Sequence, residues 1–333
     1  MKILYAVQAT GNGHISRAVQ LTPHLQKLGQ VDIFLSGQNC TLPVNLPIKY
    51  TSKGLSLFYG HHGGLSLTDI VKKNSWTTVI KQAKALPTEQ YDLVINDFEP
   101  IAALSCKIKK KASIQISHQA SFRSQLSPRP KVRNPLGEWI LKEYATSTHY
   151  IGLHFQSYDD FILPPIIKQN ILSSMPQDQG HITIYLSGYD RKFFQHHLTQ
   201  IKGLKFHCFL PHITEISVHQ NITFYPIQDE LFTQSMIGSH GVITGGGFET
   251  PAEAIFLKKK LMCIPIKNHY EQYCNAAALM ALGVAVRFTH QLKDFASHID
   301  FWLNQKTLEL DLPVHDIDAT LQKIMVLAKN DPN

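Results

Sequence analysis

The sequence predicts an α/β protein built from two parallel-sheet halves that face one another across a cleft. Three observations predict it. Strand-like apolar runs alternate with helix-like periodic segments. The alternation stops in a proline-rich stretch near the middle of the chain and then restarts. In each half, a strand runs into a glycine-rich turn that opens a helix. With 333 residues, 44% apolar and 17% charged, the chain is long enough for two cores and too weakly charged for disorder. No apolar run of about 18 residues occurs, so no membrane-spanning helix is expected. Met1-Lys2-Ile3-Leu4-Tyr5 enters a strand-like run with no signal-peptide pattern. Five cysteines, an odd number without CxxC spacing, read as thiols of a reducing compartment. The expected location is the cytoplasm.

In chain order, Ile3–Gln8 is a continuous apolar run of the kind buried in a parallel sheet. The periodic segment Ser16–Leu28 follows and stops at Gly29. Val31–Leu35, Leu93–Asn96, Ile114–Ser117 and Tyr150–Phe155 read as further strands, and 54–75, rich in glycine, as a long irregular excursion. Residues 156–180, with Pro164-Pro165, Pro176 and Gly180, are the linker candidate. The second half then runs through strands His181–Leu186, Lys205–Leu210, Ile222–Tyr225, Gly241–Thr244, Leu261–Ile266 and Val284–Phe288, with helices between. The expected domains are 1–160 and 161–333.

Gly11, Asn12, Gly13 and His14 form the first turn, where glycines let a ligand approach the backbone and a helix N-terminus favours an anion. A dinucleotide fingerprint would need glycine at position 16 and an acid after the second strand. Ser16 and Leu35-Ser36 stand there, so a dinucleotide cofactor is not expected, and no P-loop motif occurs. Two readings of His14 stand open: a general base oriented by Asp97 at the end of its strand, or a helix-capping group beside an ordinary strand-end acid.

The second turn is the stronger signal. Gly241-Val242-Ile243-Thr244 runs into Gly245, Gly246 and Gly247, then Phe248, Glu249, Thr250 and Pro251 open a helix that carries Glu253. Backbone N–H groups and the helix dipole at such a turn suit a diphosphate, and Glu253 suits the two hydroxyls of a ribose. The next strand ends in a polar loop that includes Glu271 and Gln272.

This ordered pattern of Gly-Gly turn, Thr250, Glu253, Pro265, Gln272, Asn275-Ala276 and Gly283 resembles the donor-binding domain of GT-B glycosyltransferases. The similarity is to the N-acetylglucosaminyltransferase that makes lipid II and to the UDP-glycosyltransferases. The resemblance implies two Rossmann-like domains, the first binding the acceptor and the second the nucleotide-sugar donor, with the last helix packing back on the first. It implies that Gly245–Thr250, Ser187 and Gly188 hold the diphosphate, Ile227 the base, Glu253 the ribose, and Glu271 and Gln272 the sugar. It casts His14, partnered by Asp97, as the base for an acceptor hydroxyl. The chain departs from relatives with an imidazole before the glycine turn, since Gly245 stands there, and Glu249 is an unusual charge beside the sugar.

A nucleoside diphosphate leaving into a helix N-terminus while a base takes the acceptor proton is a single, inverting displacement. No metal is expected: Asp159-Asp160 lies in the linker region, and His61-His62 and His196-His197 lack a third ligand at metal-site spacing. No resident cofactor is expected, because the nucleotide-sugar is a substrate. The alternatives are a UDP-sugar 2-epimerase on the same architecture and a non-catalytic nucleotide-sugar-binding protein. Charge is uneven: residues 1–160 carry 18 Lys and Arg against 10 Asp and Glu. A solvated face is the plainer reading of any one basic cluster, but the asymmetry makes an anionic membrane surface an expected partner. Aromatic stacking residues are too few among the basic ones for nucleic acid.

Overall fold

The structure, a computed structural model, describes residues 1–9, 11–37, 46–55, 75–288, 292, 294–306 and 309–329. Most of the excursion expected at 54–75, including His61-His62, lies outside the described residues. The chain forms two compact units. The first comprises Met1–Ser127, Arg133–Ile166 and Val314–Asn333, and the second Pro128–Val132 and Ile167–Pro313.

The first unit is a seven-stranded parallel sheet. Its strands are β1 (Lys2–Gln8), β2 (Gln30–Ser36), β3 (Ile48–Ser52), β4 (Leu93–Asp97), β5 (Ile114–Ser117), β6 (His149–Leu153) and β7 (Ile162–Leu163). They lie in the order β3-β2-β1-β4-β5-β6-β7. The central strands bury nearly every side chain: β1 and β4 carry continuous apolar runs, while β5 alternates Ile114 and Ile116 with the buried polar Gln115 and Ser117. Helices α1 (Asn12–Gln26), α2 (Trp76–Ala85), α3 (Pro100–Lys109) and α4 (Pro135–Glu143) connect them. Leu4, Phe34, Val79, Val94 and Ile101 belong to one buried cluster that joins the sheet to α2 and α3. Helix α1 starts at Asn12, ahead of the expected Ser16, so His14 rides on its first turn. The C-terminal helix Ile317–Lys329 belongs to this unit and lies against α1 and β5.

The second unit repeats the plan. Strands β8 (His181–Tyr185), β9 (Lys205–Leu210), β10 (Ser217–His219), β11 (Ile222–Pro226), β12 (Gly241–Thr244), β13 (Lys260–Cys263) and β14 (Ala285–Val286) form a sheet in the order β10-β11-β9-β8-β12-β13-β14. Only β10 is antiparallel to its neighbour. Between the strands run the short α5 (Gln169–Leu172), then α6 (Arg191–Leu198), α7 (Asp229–Gly238), α8 (Glu249–Phe256), α9 (Tyr270–Ala281) and α10 (Phe295–Asn304). Ile184, Phe194, Phe206, Phe224, Ile243, Met262 and Phe295 are among its fully buried core residues. Cys106, Cys208, Cys263 and Cys274 are all buried, and none of them forms a disulfide.

Candidate active site

In the first unit, the chain runs outward in one direction from β1 and in the other from β4, and the two strands are neighbours. Loops leaving the carboxyl ends of such a pair diverge and leave a crevice, the usual ligand position in open α/β sheets. Val7 registers opposite Asp97, so the turn after β1 and the end of β4 lie side by side. His14 Nδ1 stands 2.8 Å from Asp97 Oδ1. Arg17 Nη2 also stands 3.0 Å from Nδ1, but the carboxylate can only accept, and a proton on Nδ1 directed at it leaves the Nε2 lone pair to accept another. His14 keeps 13% side-chain exposure, while Asp97 has none.

Arg17, one turn along α1 and only 3% exposed, completes the arrangement. Its Nε donates to Asp97 Oδ2 at 2.8 Å and its Nη2 to Oδ1 at 2.9 Å, a two-pronged charge-assisted pair. Burial alone would raise the Asp97 pKa, but the Arg17 charge and His14 outweigh it and hold the carboxyl below its ordinary value. Phe98 follows with a left-handed φ of 56°, and its ring lies parallel to the His14 imidazole at 6.5 Å. The turn is braced by Asn96, whose side chain bonds the backbone N–H and C=O of Glu99. Glu99 in turn caps α3 by accepting from Ile101 and Ala102. Neither Arg17 nor Phe98 was singled out by motif. Gly11 precedes α1 as its N-cap with extended backbone and no side-chain cap, and a methyl group built there would meet nothing within 4 Å.

In the second unit the same divergence occurs between β8 and β12, where Tyr185 registers opposite Thr244. The Ser187-Gly188 turn after β8 and the Gly245–Gly247 turn after β12 are therefore neighbours. Ser187 and Gly188 are exposed. Gly246 is a packing glycine: a Cβ there would stand 2.8 Å from the Gln272 backbone oxygen and 3.1 Å from Pro265 Cβ. Gln272 Oε1 accepts from the N–H groups of Gly246 (3.1 Å) and Ile266 (2.8 Å), and Asn275 donates to the Gly246 carbonyl at 2.9 Å. The Gly246 N–H is thus engaged within the protein, and Gln272 keeps only its amide NH₂ for a ligand. Gly247 is exposed with nothing within 4 Å of a built Cβ.

Helix α8 starts immediately afterwards and has no side-chain cap, which leaves its first-turn N–H groups and positive dipole end directed at this turn. Phe248 is buried, and Glu249 and Thr250 are half-buried in the first turn. Glu253 is 2% exposed and lies 3.5 Å from Lys168 Nζ. Burial pushes its pKa up to about 7 against the pull of Lys168, with Asp229 and Glu249 adding to the rise. Ile227 is half-buried just after β11, and Glu271 lies in the first turn of α9. The Arg191 guanidinium lies over the Phe224 ring at 4.6 Å. Among the described residues no group of three His, Cys, Asp or Glu side chains converges as a metal site.

The sequence model of glycosyl transferase family 1 matches residues 1–301. The chain belongs to glycosyl transferase family 1. No curated protein sequence matches it. Its fold is similar to that of a spinosyn forosaminyltransferase, with a TM-score of 0.60 at 14% identity over 98% of this chain and 99% of the other. The glycosyltransferase VinC in complex with dTDP gives 0.58 at 12% identity over 99% and 100%. MurG of Acinetobacter baumannii gives 0.56 at 11% over 98% and 99%. This family 1 member is therefore a sugar-transferring enzyme of the GT-B fold, and the expected α/β class with two Rossmann-like sheets holds. A cavity of about 820 Å³ opens at the opposite, amino-terminal edge of the first sheet, lined by Lys107, Lys110, Lys111 and Ser147 among others. It lies away from the site residues. No helix among the described residues is long and apolar enough to cross a membrane.

Proposed function

We propose that the enzyme moves a sugar, with inversion and without a metal ion, from a UDP-sugar to an acceptor hydroxyl. The observation that carries this reading is the buried Asp97 holding Nδ1 of a half-buried His14 at 2.8 Å. That geometry leaves Nε2 as a base, and its carboxylate partner stabilises the imidazolium that forms when the acceptor proton arrives. The acceptor oxygen attacks the anomeric carbon as the bond to the diphosphate breaks. The electron pair leaves with the diphosphate, whose charge the first turn of α8 and the exposed Gly247 backbone receive. Glu253 accepts the ribose hydroxyls, the Ile227 loop holds the base, and Glu271 with the Gln272 amide reads the sugar. VinC was solved with dTDP and another structural neighbour, at 10% identity, with UDP, which supports a pyrimidine nucleotide donor. The basic first half supports an acceptor presented at an anionic membrane surface.

The test is thermal stability with UDP, dTDP, GDP, ADP and NAD. A ligand that binds only the folded state raises the midpoint by mass action. A selective rise with UDP that Glu253→Ala abolishes is expected. No shift with any nucleotide would remove the donor site and with it the reading.

A further inference from the structure

Lys168 is a buried cation for which neither the motif nor the proposed chemistry has a use. It is 6% exposed and stands at the start of α5, where its own carbonyl accepts from Ile171 and Leu172 and fixes its backbone. Its Nζ donates to Asp229 Oδ1 at 2.7 Å and lies 3.5 Å from Glu253 Oε1. Asp229 opens α7, two residues after Ile227, and Glu253 lies on α8. One ammonium therefore ties together the two places assigned to the base and to the ribose. Burial works against the charge on Lys168, but Glu253 and Asp229 overcome it and keep the amine protonated.

We propose that Lys168 is a positioning residue for the nucleoside: it favours the carboxylate form of Glu253, which accepts both ribose hydroxyls, and it fixes Glu253 relative to the Ile227 loop. This rests on the assignment of Glu253 to the ribose. Two hydroxyls donating to one group are bound more strongly by a carboxylate, which offers both oxygens as charged acceptors, than by a protonated acid, whose O–H must itself find an acceptor. Glu253 is buried beside two other acids, Asp229 and Glu249, and Lys168 is the cation that faces it. Without that cation, burial and the neighbouring acids leave the carboxyl protonated over the neutral range. The sign is fixed: ribose recognition strengthens as pH rises through the Glu253 pKa, and losing Lys168 moves that rise to higher pH.

The readout is the ratio of affinities for UDP and 2′-deoxy-UDP, measured by calorimetry across neutral pH. Titration of the phosphates cancels in that ratio and leaves ribose recognition. For Lys168→Met the ratio is expected to fall roughly tenfold at the acidic end and to recover as pH rises. Lys168→Arg restores the wild-type profile. Asp229→Asn, at a side chain 44% exposed, gives Glu253 the whole of Lys168, so its profile moves the other way, to lower pH. This second variant carries the test if Lys168→Met fails to fold. Parallel profiles for Asp229→Asn, Lys168→Met and the wild type would overturn the inference while leaving the donor site in place. A wild type that binds no UDP, or a Glu253→Gln variant with an unchanged ratio, would instead overturn the assignment of Glu253 on which it rests.

Discussion

His14 and Asp97 sit in one hydrogen bond but have different duties, and mutation separates them. Asp97 has no exposed surface, and Arg17, 3% exposed, has both of its prongs on it. Removing one partner of a buried pair strands the other charge, so Asp97→Asn is expected to lose about 3–5 kcal/mol of stability at neutral pH. Because the folded pKa of Asp97 is lowered, the stability it contributes is present above the ordinary carboxylate pKa. It is lost as pH falls through the lowered value. Urea unfolding should therefore show the gap between Asp97→Asn and wild type narrowing as the solution is acidified. A constant gap would mean that Asp97 acts through packing. His14→Gln should leave stability within about 1 kcal/mol, because the ring is half-buried and Arg17 still satisfies the carboxylate. The same variant should lose on the order of 10²–10⁴ in the rate of sugar transfer. A His14 variant with wild-type turnover would return that residue to the capping reading.

At the scale of elements, the two glycine positions in the loop after β12 make opposite predictions. Gly246→Ala forces a methyl group against Gln272 and Pro265, so it should cost about 1–3 kcal/mol of stability through overpacking. Gly247→Ala points its methyl into open space and should leave the melting midpoint nearly unchanged. With the diphosphate seated on this turn as proposed, it should weaken UDP roughly tenfold, because the added methyl takes up open space at the turn. Equal loss of stability in both variants would show that the loop is structural throughout. Strands β1, β4 and β12 were readable because both faces are buried and each carries an unbroken apolar run, Ile3–Val7, Leu93–Ile95 and Val242–Ile243. Strands β3, β7 and β10 were not read: β3 and β10 are half-exposed edge strands with no apolar signal, and β7 has two residues. In the site, His14 and Glu253 were legible because each follows a glycine turn. Arg17 and Lys168 were not, since their partners lie 80 and 61 residues away and no local spacing encodes such a meeting.

For the whole molecule, charge is the property that composition and structure read together. The net charge is +7, and the excess lies in residues 1–160. Part of it is concentrated where α3 ends, at Lys107, Lys110 and Lys111 around the 820 Å³ cavity. Exposed apolar side chains accompany it: Ile108 on α3, and Trp76 and Ile80 on α2, which packs against α3. Lysines beside an exposed tryptophan and isoleucines have the composition of an interfacial contact with anionic lipid. The plainer account is that the lysines only complement the carboxyl end of α3, where they oppose the negative end of its dipole. The two accounts differ in salt dependence and in the need for lipid. If the surface is interfacial, the enzyme should sediment with phosphatidylglycerol vesicles at low ionic strength and not with phosphatidylcholine vesicles. It should be released near 0.5 M salt, as the screening length falls to about 4 Å. Each substitution to glutamine at Lys107, Lys110 or Lys111 should weaken the association by about 1 kcal/mol, while Trp76→Ala weakens it without changing the salt slope. Retention on neutral vesicles would mean that the apolar residues act without the lysines. Indifference to anionic vesicles at low salt would leave the lysines as helix-end partners and remove the membrane as the place where the acceptor is presented.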